Sequence, residues 1–179
     1  MTDSSSFEEF VRRYQDMVYG TAVRLLGDPR EAEDISQTVF LKAFERFEAL
    51  RRSPSVGGWL KTVTTNLCLN HLSRVRSRWR LFSQIWRDTE SAEVPYEDLQ
   101  STPGVQATDM ERAEEFARLE QGVRSLPQHQ RLPIVLYHFH ERSYVEIAGL
   151  LNVSLSKVKT DIHRGREALR RFMVMTDDA

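Results

Sequence analysis

The chain has little of several things that usually announce a function. Its 179 residues hold one cysteine, Cys68, so no intramolecular disulfide and no thiolate-rich zinc site is available. Cys68 falls within an apolar helical pattern and is read as a small core residue. No apolar run nears the roughly 20 residues needed to span a bilayer, and the N-terminus, MTDSSSFEEF, is acidic, unlike a secretory signal. No membrane insertion and a cytoplasmic location are therefore expected. A nucleophile–base constellation, a glycine-rich phosphate loop and a carboxylate cluster are all missing, so neither an enzyme nor a cofactor site is expected. His138 and His140, with His129 nearby, do not make a metal site, because residues two apart on a helix point to different sides. Strict apolar–polar alternation is also missing, which leaves an all-α fold. Net charge is scarce too, at −1, which on its face disfavours a nucleic-acid partner.

That small total hides a partition. From Lys61 to Phe82 the chain carries Lys61, Arg74, Arg76, Arg78 and Arg80 with no acid. From Ser83 to Glu111 there is Arg87 against Asp88, Glu90, Glu93, Glu97, Asp98, Asp109 and Glu111. From Ser154 to Phe172 six cations, Lys157, Lys159, Arg164, Arg166, Arg170 and Arg171, face Asp161 and Glu167. Two basic segments separated by an acidic one point to polyanion contacts at two places. The acidic stretch also breaks helical periodicity and holds Pro95, Pro103 and Gly104. It reads as a linker over residues 83–108, too long for a loop inside one domain. It divides the chain into two helical domains, residues 1–82 and 109–179.

In the first domain, Ser6 and Glu9 have capping-box spacing, and Phe7, Phe10, Val11, Tyr14, Val18, Ala22 and Leu25 trace a helix face. Gly27 closes that helix. Asp28, Pro29 and Glu31 open the next as N-cap, first and third positions, and it carries Ile35, Val39, Ala43, Phe44 and Phe47. Phe40 and Leu41 widen its apolar stripe beyond one face, which fits either a buried central helix or a protein-docking surface. RRSPSVGG, residues 51–58, is a loop by composition, and a third helix runs from about Trp59 to Arg80. Trp59, Leu60, Val63, Leu67 and Leu72 suit its core side. Lys61, Thr62, Thr65, Asn66, Asn70, His71, Arg74 and Arg76 are left for its surface. Asn offers both donor and acceptor to base edges, while Lys and Arg neutralise phosphates. A polar surface helix without a partner has the same composition.

The second domain opens with a helix over about Asp109–Arg124, with Phe116, Leu119 and Val123 as its stripe. A second covers about Gln128–His140 with Pro133 in its second turn. Then SYVEIAGLLNVSLSKVKTDIHRGREALRRF reads as a helix-turn-helix. Ser143 and Glu146 form a capping box, and Ile147, Ala148, Leu150 and Leu151 make an apolar face. Asn152 suits a left-handed helix end, and Ser154 caps the second helix of the motif. Leu155, Val158, Ile162 and Leu169 face inward, leaving Ser156, Lys157, Lys159, Thr160, His163, Arg164 and Arg166 outside. A cationic second helix of this kind fits a DNA major groove. An ordinary helical hairpin with a solvated charged face is the bland reading of the same residues.

Taken together, these motifs resemble the extracytoplasmic-function (ECF) sigma factors of the sigma-70 family. AEDISQTVFLKAF resembles the helix that binds core RNA polymerase, GGWLKTVTTNLCLNHLSR the promoter −10 segment, and the stretch from LPQHQ to EALR the −35-binding domain. The resemblance implies that Asp34, Gln37 and Phe40 dock on the clamp helices of the polymerase's largest subunit. It implies that Asn66 captures a base flipped from the opened −10 strand, with Lys61, Thr65, Asn70, Arg74 and Arg76 around it. It implies that Ser156, Lys157, Lys159, Thr160, His163 and Arg164 read the −35 element. The flap of the second-largest subunit, promoter DNA and an anti-sigma protein are the further partners implied, with the linker threading the polymerase cleft. Asp161 departs from the pattern, standing where the family more often has a basic residue, and RRSPSVGG is less apolar than the pattern. A repressor or activator that binds DNA without polymerase, and a pure protein–protein adaptor, are the rival classes.

Overall fold

The computed structural model describes the backbone of residues 2–82 and 109–177 and the side chains of residues 6–74 and 113–175. The linker expected over 83–108 lies outside the described residues. Among those residues the chain is helical without a strand, and it divides into two compact units, Met1–Arg87 and Asp88–Ala179.

The first unit holds α1 (Thr2–Leu26), α2 (Pro29–Glu45), α3 (Phe47–Leu50) and α4 (Val56–Phe82). The corner between α1 and α2 takes two residues, each used for what its chemistry allows. Gly27 adopts φ 76°, open to glycine at no steric cost, and its N–H donates to the Val23 carbonyl at 2.8 Å. Asp28 then accepts the N–H groups of Arg30 at 2.8 Å and Glu31 at 3.2 Å on one carboxylate oxygen, while Pro29 occupies the first turn, where no N–H is needed. α1, α2 and α4 pack on one another around Phe10, Val18, Val39, Ala43, Phe47, Leu50, Val56 and Leu60. Phe7 meets Phe44 and Phe47 edge-on, with centroids 5.0 and 5.1 Å away, the geometry favoured by the ring quadrupole.

Three expectations change here. α1 begins at Thr2, so Ser6 lies inside the helix, where backbone carbonyls take the N–H groups that a Ser6–Glu9 capping box was expected to satisfy. Phe47 belongs to α3, because Arg46 leaves helical geometry at φ −119°, ψ 15° and re-aims the chain. That turn buries Phe47 and leaves Phe44 60 % exposed, off the core face it was assigned to. α4 starts earlier than Trp59, at Val56, whose buried side chain anchors the first turn over the two glycines.

The second unit holds α5 (Asp109–Ser125), α6 (Gln128–His138), α7 (Tyr144–Leu151) and α8 (Leu155–Asp177). The α7–α8 junction forms by the local rules its sequence suggests. Ser143 accepts the Glu146 N–H, and the Glu146 carboxylate accepts the Ser143 N–H at 2.8 Å, a complete capping box. Those bonds, with Arg142 beside them, hold the Glu146 carboxyl below the usual range. Asn152 ends α7 at φ 54°, ψ 50°, and Ser154 accepts the Lys157 N–H at 3.2 Å to open α8. The core gathers Val123, Leu126, Leu132, Ile134, Val135, Leu136, Ile147, Val158 and Ile162. Pro133 is buried within α6, which continues through it. Gly165 lets α8 lie against α6: a Cβ there would stand 2.9 Å from Ile134 Cγ1.

The apolar faces are narrower than periodicity suggested. Leu150, Leu155 and Phe116 are 45, 41 and 51 % exposed, respectively. An eight-residue helix crossing its neighbours offers one knob, and α7 spends it on Ile147, which is fully buried. No helix among the described residues is long and apolar enough to cross a membrane.

Candidate nucleic-acid and protein-docking surfaces

α4 sorts its polar residues into two sets. Thr62, Asn66, Asn70 and Arg74 recur every fourth residue and are all exposed, giving one polar stripe. Lys61 is half-buried beside it. Thr65, expected on this surface, is instead 9 % exposed, and Thr64 is fully buried. Both can lie inside because each hydroxyl is satisfied by the carbonyl four residues back, Thr64 donating to Leu60 at 2.7 Å and Thr65 to Lys61 at 2.8 Å. Once bonded this way, a threonine presents mainly its methyl group and packs like a small apolar residue. Thr62 makes the same bond, to Gly58 at 2.9 Å, on the exposed side. His71 leaves the stripe for α2, with Nε2 3.1 Å from Glu31 Oε1. Arg76 falls outside the described side chains. Cys68 sits in the core, where burial and then the Glu31 charge push its thiol up to about 12; it is no nucleophile.

α2 presents a second stripe. Asp34, Gln37, Leu41 and Phe44 occur at spacings of three, four and three, and all are exposed, Leu41 by 67 %. Beside them, a groove of about 830 Å³ runs between α1 and α2, with Phe7, Val11, Tyr19, Gln37, Phe40 and Phe44 among its lining. Gln37 and Phe40 therefore meet in one groove, while Asp34 stands on the exposed stripe outside it. Phe40 is half-buried and packs against the core. With Leu41 and Phe44 exposed on this face, α2 is not a buried central helix.

In the second unit, Ser156, Lys157, Lys159 and Arg164 are exposed on α8, with Thr160 and His163 half-buried among them. Thr160 donates to the Ser156 carbonyl at 3.1 Å, and His163 Nε2 lies 3.7 Å from Glu167 Oε1. Arg166 turns back toward α6, its Nε and Nη2 each 3.4 Å from His138 Nε2 and its guanidinium 5.5 Å over the Tyr137 ring. Burial and the Arg166 charge hold His138 below the usual imidazole range. Asp161 is 4 % exposed, so it is no part of the outward face. Among the described residues, no group of three or more His, Cys, Asp and Glu side chains could hold a metal ion.

The fold and these faces define a class: a two-unit helical protein with a helix-turn-helix in one unit and a polar helix stripe beside an apolar groove in the other. Sequence comparison narrows it. Residues 10–79 match the sigma-70 region 2 family and residues 116–169 the sigma-70 region 4 family. The chain is 32 % identical to the ECF RNA polymerase sigma factor SigW of Bacillus subtilis over 170 residues, covering 94 % of this chain and 89 % of that one. It is 34 % identical to the ECF RNA polymerase sigma factor SigE of Mycolicibacterium smegmatis over 94 % of its own length, and spans 62 % of that longer relative. Among solved structures, the sigma factor RpoE of Bartonella quintana, crystallised with the anti-sigma factor NepR, aligns over 94 % of this chain and 96 % of that one. Its TM-score is 0.47 and its identity 20 %. The chain belongs to the ECF RNA polymerase sigma factors.

Proposed function

We propose that this chain binds core RNA polymerase, carries it to promoters with defined −35 and −10 elements, and helps open the DNA there. The observation that carries the reading is the α2 stripe, with Leu41 and Phe44 exposed beside Asp34 and Gln37. A half-apolar surface on the unit without the helix-turn-helix calls for a protein partner: the polymerase in this reading, a second copy of the chain in a dimerising repressor or activator. In this reading Asp34, Gln37 and Phe40 face the clamp helices of the largest subunit, and Leu41 and Phe44 add the apolar anchor.

The two cationic segments then divide the DNA. Asn66 meets a base extruded from the −10 strand, where its amide supplies a donor and an acceptor to offset the few kcal/mol that unstacking costs. Asn70, Arg74, Arg76 and Lys61 hold neighbouring backbone. Thr65 is not carried forward, since its side chain is inside. Ser156, Lys157, Lys159, Thr160, His163 and Arg164 face the −35 duplex, phosphate contacts setting register and base contacts setting sequence. The flap of the second-largest subunit, an anti-sigma protein and the cytoplasm complete this picture of its partners and place.

Gel shifts on promoter DNA with and without core enzyme, then transcription in a purified system, test the proposal. Specific binding and transcript formation only when core enzyme and this chain are both present is the expected result. Tight, core-independent binding to a symmetric site would replace it with a repressor or activator. Transcription that proceeds equally without the chain would leave it an adaptor.

A further inference from the structure

Asp161 lies in the middle of the helix proposed to read the upstream element, yet it cannot touch DNA. Its side chain is 6 % exposed, and both carboxylate oxygens turn to one ammonium: Lys157 Nζ stands 3.0 Å from Oδ2 and 3.3 Å from Oδ1. Lys157 is one turn earlier, third in α8, with half of its side chain exposed. The first turns of a recognition helix are where side chains reach base edges.

Burial makes the pair obligatory. A carboxylate taken out of water is tolerated when a cation and hydrogen bonds compensate it, and removing that cation strands the charge. Lys157 is therefore bound to its own helix before any DNA arrives. Lysine ordinarily acts on DNA as a hydrated point charge on a flexible stem, free to follow a phosphate. Here the charge is cancelled within about 3 Å and the ammonium is fixed in place. The two oxygens of one carboxylate lie too close together, seen from Nζ, to take two tetrahedral N–H bonds, so one proton is shared between them and two point outward.

We propose that Asp161 is a positioning residue that converts Lys157 from a salt-sensitive phosphate contact into a fixed donor aimed at one base. Guanine O6 or N7 is the acceptor chemistry that suits a lysine in the major groove. The inference rests on α8 being the duplex-reading helix. It also accounts for an acid on a basic surface: Asp161 does not read a base itself, and its negative charge is not offered to the phosphates.

The test uses holoenzyme, the full chain with core polymerase. Duplexes are selected from a pool randomised upstream of a fixed start site, and affinity is then measured against NaCl concentration. Asp161→Asn frees the ammonium, so the slope of log K against log[salt] steepens by about 0.9, one further phosphate contact, and preference relaxes at one base pair. Between 50 and 200 mM salt, that slope is worth an additional ~3.5-fold loss of affinity. Lys157→Met leaves the slope unchanged and erases the preference at the same base pair. Because that variant strands a buried carboxylate, the double variant Lys157→Met/Asp161→Asn serves if it unfolds. It should match the wild-type slope and lack the preference. A wild-type slope steeper than the double variant's by about 0.9 would show Lys157 already on a phosphate and overturn the inference. So would an Asp161→Asn variant that changes neither slope nor preference. If the wild-type holoenzyme selects no upstream sequence at all, the proposed function falls first, and the inference with it.

Discussion

Gly165→Ala is the most telling single change to the helix-turn-helix unit, because two opposed effects have known sizes. Replacing a helical glycine by alanine gains up to about 1 kcal/mol of helix propensity. Against this, the new Cβ would meet Ile134 Cγ1 at 2.9 Å and Cδ1 at 3.1 Å, where carbon pairs prefer 3.5–4.0 Å. Ile134 is 2 % exposed and branched at Cβ, so Cγ1 has no free rotation by which to retreat. The overlap belongs at the upper end of overpacking costs, about 3 kcal/mol, which leaves a net loss of about 2 kcal/mol. Hydrogen exchange on α6 and α8 peptides reads this directly: protection should fall by roughly 30-fold, while α1–α4 amides stay unchanged. Gly122→Ala is the control. Its Cβ would come equally close, 2.9 Å from Phe172 Cδ1 and 3.1 Å from Leu169 Cδ2, but these are half-buried side-chain ends that can swing aside. It should be near neutral. Ile134→Ala combined with Gly165→Ala should lose less than the sum of the two, by at least about 1 kcal/mol. Undiminished α6 and α8 protection in Gly165→Ala would refute the claim that this close approach is rigid.

Three further outcomes are expected. Asn66→Ala should impair promoter opening, monitored by permanganate reactivity of unpaired thymines, with core binding near normal; equal loss of both would contradict base capture. Phe44→Ala, which removes a mostly exposed ring, should weaken core affinity by about 1–2 kcal/mol while costing the chain no more than the roughly 1 kcal/mol of its edge-on contact with Phe7, and unchanged affinity would remove α2 from the docking surface. His138 has a lowered folded pKa, so the unfolded chain protonates first: stability should be fullest above about pH 6.5 and decline as pH falls through that value. His138→Gln should flatten that part of the profile in thermal melts.

What was legible in the sequence was legible where chemistry is local. Gly27, Asp28, Pro29, Ser143, Glu146, Asn152 and Ser154 each satisfy a neighbour within a few residues, so their spacing carried the outcome. The misplacements came where a third residue decides. Thr65 had to choose between solvent and the Lys61 carbonyl, and Phe44 depended on a break at Arg46 that no proline or glycine announces. Asp161 lies three residues after Val158 and four before Gly165, both buried, so it stands at the edge of the core face; its pairing with Lys157 one turn back depends on side-chain geometry that spacing alone does not give. The order of the binding segments could be read because it is linear; the width of each face could not, because neighbouring helices set it.

The back-bonded threonines of α4 reach beyond packing. Thr62 has already given its only proton to the Gly58 carbonyl, so toward any outside partner it has lone pairs alone. Any partner that meets its oxygen must bring the proton. Four residues on, Asn66 can answer a donor or an acceptor. Along one stripe of helix, an acceptor stands one turn from a group that both donates and accepts, and the difference is made by a single intrahelical bond.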